Sequence, residues 1–126
     1  MGEVTDATRR VVLARDDYQC VARGQLPGEC SGHLDMGHLI GRGIGGSDLY
    51  DTAAWLTTQC RRHNGDIEDV PETRAMAIRL GLKIERKPGL IPVHALVRYP
   101  DRVWYLLINT TKERADREYP WLVGNG

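Results

Sequence analysis

Cys20, Cys30, Cys60 and His63 constrain this chain more than any other residues. They include all three of its cysteines and one of its four histidines. They fall as two pairs: Cys20 and Cys30 with nine residues between them, Cys60 and His63 with two. Thiolate and imidazole together suit zinc, and two ligand pairs brought together by a fold close a tetrahedral site. Three cysteines cannot pair evenly as disulfides, and no secretory signal is read at the start of the chain. The competing reading is a core that holds three unrelated thiols. Against it stand the tight Cys60-Arg61-Arg62-His63 spacing and the two arginines, which are poor core residues. The first ligand gap, wider than the usual two to four residues, counts for the competing reading.

A chain of 126 residues fits one domain with an appended segment. We expect residues 1–70 to form the metal-binding core and residues 71–126 a helix and β-hairpin extension packed on it. No apolar run is long enough to span a bilayer, so a cytoplasmic protein without a membrane partner is expected. Phenylalanine is absent, so the aromatic core must come from tryptophan and tyrosine, Trp55 among them. The formal net charge is zero, which argues against a dedicated nonspecific nucleic-acid binder. The charge is uneven, however. Arg9, Arg10 and Arg15 lie near the start, and Arg42, Arg61 and Arg62 flank the candidate site. Asp66, Glu68 and Asp69 follow.

Local signals order the elements. Thr5 or Asp6 caps a first helix that runs to about Asp16, with Ala7, Val11, Val12 and Ala14 as its apolar face. An extended segment starts at Tyr18. Residues 24–32 hold three glycines and Pro27 and read as a turn-rich loop. A short strand covers Leu34 to about Ile40, and residues 41–51 are too glycine-rich for regular structure. A helix begins near Cys60 and carries His63 and Asn64. Another starts at Pro71 and stops at Gly81, with Ala75, Met76 and Leu80 facing the core. Two strands, Val93 to Tyr99 and Val103 to Ile108, are joined by a hairpin turn. The tail is polar until Tyr119-Pro120-Trp121-Leu122, a candidate hydrophobic anchor.

Between the ligand pairs lies Asp35-Met36-Gly37-His38-Leu39-Ile40-Gly41-Arg42-Gly43-Ile44-Gly45-Gly46-Ser47-Asp48. A histidine on a β-ribbon, facing a divalent ion on a helix, can take a proton from water for attack on phosphorus. Glycines allow close backbone approach to a phosphate, and an arginine beside them offers a bidentate donor. Residues 16–64 contain all of these groups.

Over residues 15–64 the chain resembles the HNH endonucleases of the ββα-metal type, in the form found in bacteriophages and actinobacteria. The resemblance is carried by Arg15-Asp16-Asp17-Tyr18-Gln19-Cys20, by Cys30, by Gly37-His38-Leu39-Ile40-Gly41-Arg42-Gly43-Ile44-Gly45-Gly46-Ser47, and by Cys60-Arg61-Arg62-His63-Asn64. It implies an α+β fold, two strands and a helix around a catalytic Mg²⁺ or Mn²⁺, with a structural zinc alongside. It also implies His38 as general base, Asn64 as a ligand of the catalytic ion, and His63 in place of a fourth zinc-binding cysteine. Two positions depart from the family pattern. Gly37 stands where a metal-holding side chain is usual, so Asp35, on the same side of a strand, is the expected substitute. Trp55 stands where an asparagine usually orients the base, so Asp51 or Asp48 would hold the imidazole. The implied function is metal-dependent hydrolysis of DNA phosphodiesters, with Arg42, Arg61 and Arg62 as phosphate contacts. A phage-encoded protein of this kind would act in the bacterial cytoplasm. The alternative is a degenerate, non-catalytic zinc module that binds DNA or a protein partner.

Overall fold

The computed structural model describes residues 4–40, 51–85 and 94–115. The glycine-rich loop with Arg42 and Asp48, the start of the Val93 strand, and the Tyr119-to-Leu122 segment lie outside them.

The first helix, α1 (Asp6–Arg15), is capped by Thr5, whose hydroxyl accepts the Thr8 backbone N–H at 3.1 Å. Its buried residues are Val12 and Arg15; Ala7 and Ala14, expected on the apolar face, are exposed. Arg15 displaces them because its guanidinium finds an acidic partner and backbone carbonyls inside. Nε and Nη2 bond the two carboxylate oxygens of Asp16 at 3.0 and 3.2 Å, and Nη2 also donates to Leu56 O at 2.6 Å. The extended segment expected from Tyr18 is a tight turn instead. Asp17 and Tyr18 take φ of 58° and 55°. That left-handed pair reverses the chain after the helix. Val21 then docks on the neighbouring strand, its N–H donating to Thr58 O at 2.9 Å.

Two strands, β1 (Leu34–His38) and β2 (Leu56–Cys60), form an antiparallel ribbon that pairs Leu34 with Cys60 and His38 with Leu56. A short 3-10 turn, Ala53–Trp55, enters β2, and α2 (Arg61–Asp69) follows it directly. Every β2 residue is buried, so this strand lacks the alternation of a half-exposed ribbon. Its polar side chains are satisfied internally: Gln59 Nε2 donates to Thr57 Oγ1 at 2.9 Å.

The third helix, α3 (Pro71–Arg79), starts at a proline whose fixed φ suits the first turn. It buries Thr73 and Ala77, whereas Ala75 is exposed. Met76 and Leu80, expected to face the core, are half-buried and pack against it. Gly81 ends it at φ 77°, and a Cβ there would sit 2.0 Å from Leu96 O. Both the backbone conformation and the close approach to the next sheet demand glycine.

That sheet has three antiparallel strands, β3 (Ala95–Arg98), β4 (Trp104–Leu107) and β5 (Lys112–Arg114), in that order. The hairpin matches the expected pair of strands. β5 was not expected, because its residues are polar and it pairs only along one edge. Lys112 fixes it, donating to Arg15 O at 2.9 Å. One buried cluster draws Cys20, Val21, Leu39 and Ile67 together with Ala77, Leu82, Val97 and Leu107. Ile84 N–H donates to Leu39 O at 2.7 Å, tying the two sheets' surroundings. The architecture is α+β, and no helix among the described residues is long and apolar enough to cross a membrane.

Three substitutions test this packing. Gly81→Ala should lose about 2–5 kcal/mol in urea denaturation, from strain plus a backbone clash. Gly24→Ala, also at positive φ but with nothing within 4 Å of the added carbon, should lose only about 1 kcal/mol. Asp16→Ala should cost about 3–5 kcal/mol by leaving Arg15 buried and unpaired.

Candidate metal centre and functional site

The loop after α1, the turn-rich loop and the start of α2 converge on one point. The ligand atoms of Cys20, Cys30, Cys60 and His63 all lie within 4.8 Å of one another, a group that could hold a metal ion such as zinc. His63 Nδ1 stands 3.5, 3.7 and 3.3 Å from the sulfurs of Cys20, Cys30 and Cys60. Zinc bonds of ordinary length in a tetrahedron would place sulfur and nitrogen about 3.6 Å apart. A single ring lone pair can accept from only one thiol, so hydrogen bonding does not account for three sulfurs around it. The other ring nitrogen, Nε2, lies 3.1 Å from Pro27 O and 3.0 Å from Gly28 O. A proton held there leaves Nδ1 as the ligand nitrogen, the usual backbone support of a metal-binding histidine.

The thiols resist ionising together without a cation. Burial pushes the Cys20 thiol up to about 12, with the charges of Cys60 and Cys30 adding to it. Burial and the Cys60 charge also raise Cys30. Burial opposes Cys60 too, but the backbone N–H groups of His63 and Ser31 and the Ser31 hydroxyl outweigh it, lowering Cys60 to about 7. A divalent ion at the centre would remove this mutual repulsion. Cys30 is the exposed member; Cys20, Cys60 and His63 are buried.

His38 occupies the opposite end of the ribbon. Its Nε2 lies 2.7 Å from Asp51 Oδ1, and the Asp51 side chain is only 8% exposed. Of the two carboxylates left open by the sequence, Asp51 therefore meets the imidazole. Trp55 is core, and its carbonyl accepts the Leu39 N–H at 3.0 Å.

The other expected site residues are arranged differently. The Asp35 carboxylate lies 3.1 Å from His33 Nε2 and 3.4 Å from Arg61 Nε. Asn64 lies beside Gly37: a Cβ on that glycine would be 3.3 Å from Asn64 Oδ1 and 2.5 Å from Gln59 Cγ. Gly37 thus makes room for Gln59, which explains its lack of a side chain by packing. Asp35 belongs to no cluster of three or more His, Cys, Asp or Glu among the described residues; the cysteine–histidine group is the one found. Arg61 faces Asp35, and Arg62 lies 3.6 Å from Asp66 Oδ2. Arg62 also covers Gly28, where an added Cβ would come within 2.5 Å of its guanidinium. Exposed pairs of this kind contribute little and exchange readily for another anion. His33 was missed; its signal was the two-residue spacing to Asp35, which puts both on one side of an extended chain.

No protein-family model, curated protein or solved structure matches this chain.

Purified protein should carry about one zinc per chain by elemental analysis. Cys60→Ser should lose that metal and most of the cooperative melting transition, because metal binding and folding are coupled in so small a core. Folded, zinc-free wild-type protein would refute the assignment.

Proposed function

We propose that this chain is a DNA endonuclease of the HNH type, with His38 as general base oriented by Asp51. The observation that carries this reading is the His38–Asp51 contact of 2.7 Å on a ribbon that runs straight into α2. A carboxylate accepting the Nε2 proton leaves the Nδ1 lone pair to take a proton from water. The hydroxide so formed attacks phosphorus, the bond to the leaving oxygen breaks, and the imidazolium returns its proton to solvent or to that oxygen. Zinc held by three thiolates and His63 would have no open coordination position, so its part is to hold the loops against α2.

The resemblance also implies Mg²⁺ or Mn²⁺, which would offset charge developing at the leaving oxygen. The residues that would hold it are Asp35 and Asn64; the Asp35 carboxylate is paired with His33 and Arg61. That same engagement favours the second reading, a zinc-stapled module that binds DNA or a protein partner without cutting.

Nicking of supercoiled plasmid separates the two. Wild-type protein should nick in Mg²⁺ or Mn²⁺. His38→Ala should slow nicking by about 10²–10⁴-fold, and Asp51→Asn should also slow it, with zinc content and melting temperature retained in both. Plasmid left intact by wild-type protein in both ions would overturn the endonuclease reading and leave the binding module.

A further inference from the structure

A second basic site lies at the end of α3. Arg79 and Arg98 line one open cleft of about 290 Å³ with Leu80 and Trp104. Register sets Arg98 opposite Trp104 across β3 and β4, and Arg98 N–H donates to Leu80 O at 2.9 Å, which fixes the helix end against the strand. Arg79 is exposed and Arg98 half-buried. Three other surface arginines meet carboxylates: Arg61 with Asp35, Arg62 with Asp66, Arg74 with Glu68. The guanidinium groups of Arg79 and Arg98 have no ion pair or hydrogen bond among the described residues. Two uncompensated like charges beside an apolar wall repel, and an anion bridging them relieves that cost. Guanidinium planes match the paired oxygens of a phosphodiester. The segment leaving the cleft reaches Ile84, whose N–H bonds Leu39 O at 2.7 Å, one residue beyond His38.

We propose that this cleft binds the phosphodiester backbone of the DNA strand flanking the point of cleavage, an extension that rests on the endonuclease reading above. It makes Arg79 and Arg98 affinity residues with no part in the chemical step.

The test is fluorescence anisotropy with a labelled short duplex, titrated across salt. Arg79→Glu and Arg98→Gln should each raise Kd about tenfold and flatten the slope of log affinity against log salt by about 1. Arg79→Lys should keep the salt slope but only part of the affinity, because an ammonium cannot bond two oxygens in parallel. Zinc content should match wild type, and nicking at saturating DNA should be unchanged. Since Arg79 is exposed at a helix end, Arg79→Glu keeps the test valid if Arg98→Gln fails to fold. Unchanged Kd and slope in variants of a wild type that binds duplex would overturn the cleft alone. Cleft-dependent binding without nicking would uphold the cleft and overturn the endonuclease reading. No duplex binding by wild-type protein would overturn both. Displacement of the duplex by polyglutamate at equal charge concentration would reassign the cleft to an acidic protein.

Discussion

The buried ion pair of Arg15 and Asp16 is the interaction on which the rest of the arrangement depends. All five guanidinium protons of Arg15 are satisfied: two by Asp16, and three by the carbonyls of Ala53, Leu56 and Asn109. Asp16 also accepts the Thr58 N–H at 2.9 Å and the Tyr99 hydroxyl at 2.5 Å. Burial and the Asp16 charge push the Tyr99 hydroxyl's pKa well above its ordinary value, so it stays a donor. One network thus joins α1, the 3-10 turn, β2 and the C-terminal sheet. A buried pair is retained at no penalty only when every group is satisfied, and here none of these charges lacks a partner.

That network sets where the ligands arrive. With Asp16 held inside, the chain must turn at once, and Asp17 and Tyr18 do so at positive φ. The turn returns Cys20 and Val21 to the side of β2, near Cys60. The ribbon then separates two kinds of chemistry. The cysteine–histidine cluster closes the end where Leu34 pairs with Cys60; His38 and Asp51 occupy the end near Leu56. Five residues of strand span roughly 13 Å, far enough that an ion at the cluster would act on His38 through structure alone.

Electrostatics divides along similar lines. A formal charge of zero conceals local pairing around α2, where Arg61, Arg62 and Arg74 each meet a carboxylate. At the junction of α3 and β3 no such compensation is seen for Arg79 and Arg98 among the described residues. Net charge sums over both regions and so is blind to the difference.

Much of the candidate site could be read from residue types and spacing. Cys20, Cys30, Cys60 and His63 do converge, because soft ligands in two pairs are unlike anything else in the chain. The caps and stops at Thr5, Pro71 and Gly81 placed helices correctly, since capping and backbone restriction are local effects. What the chain alone did not reveal depends on groups far apart in sequence. The buried role of Arg15 needs Ala53, Leu56 and Asn109. The choice of Asp51 for His38 needs the ribbon's register, and the emptiness at Gly37 needs Gln59 from the opposite strand. The pairing of Asp35 with Arg61 needs the start of α2 beside β1. Local propensity fixes where elements begin and end; only tertiary packing decides which polar groups meet once water is removed.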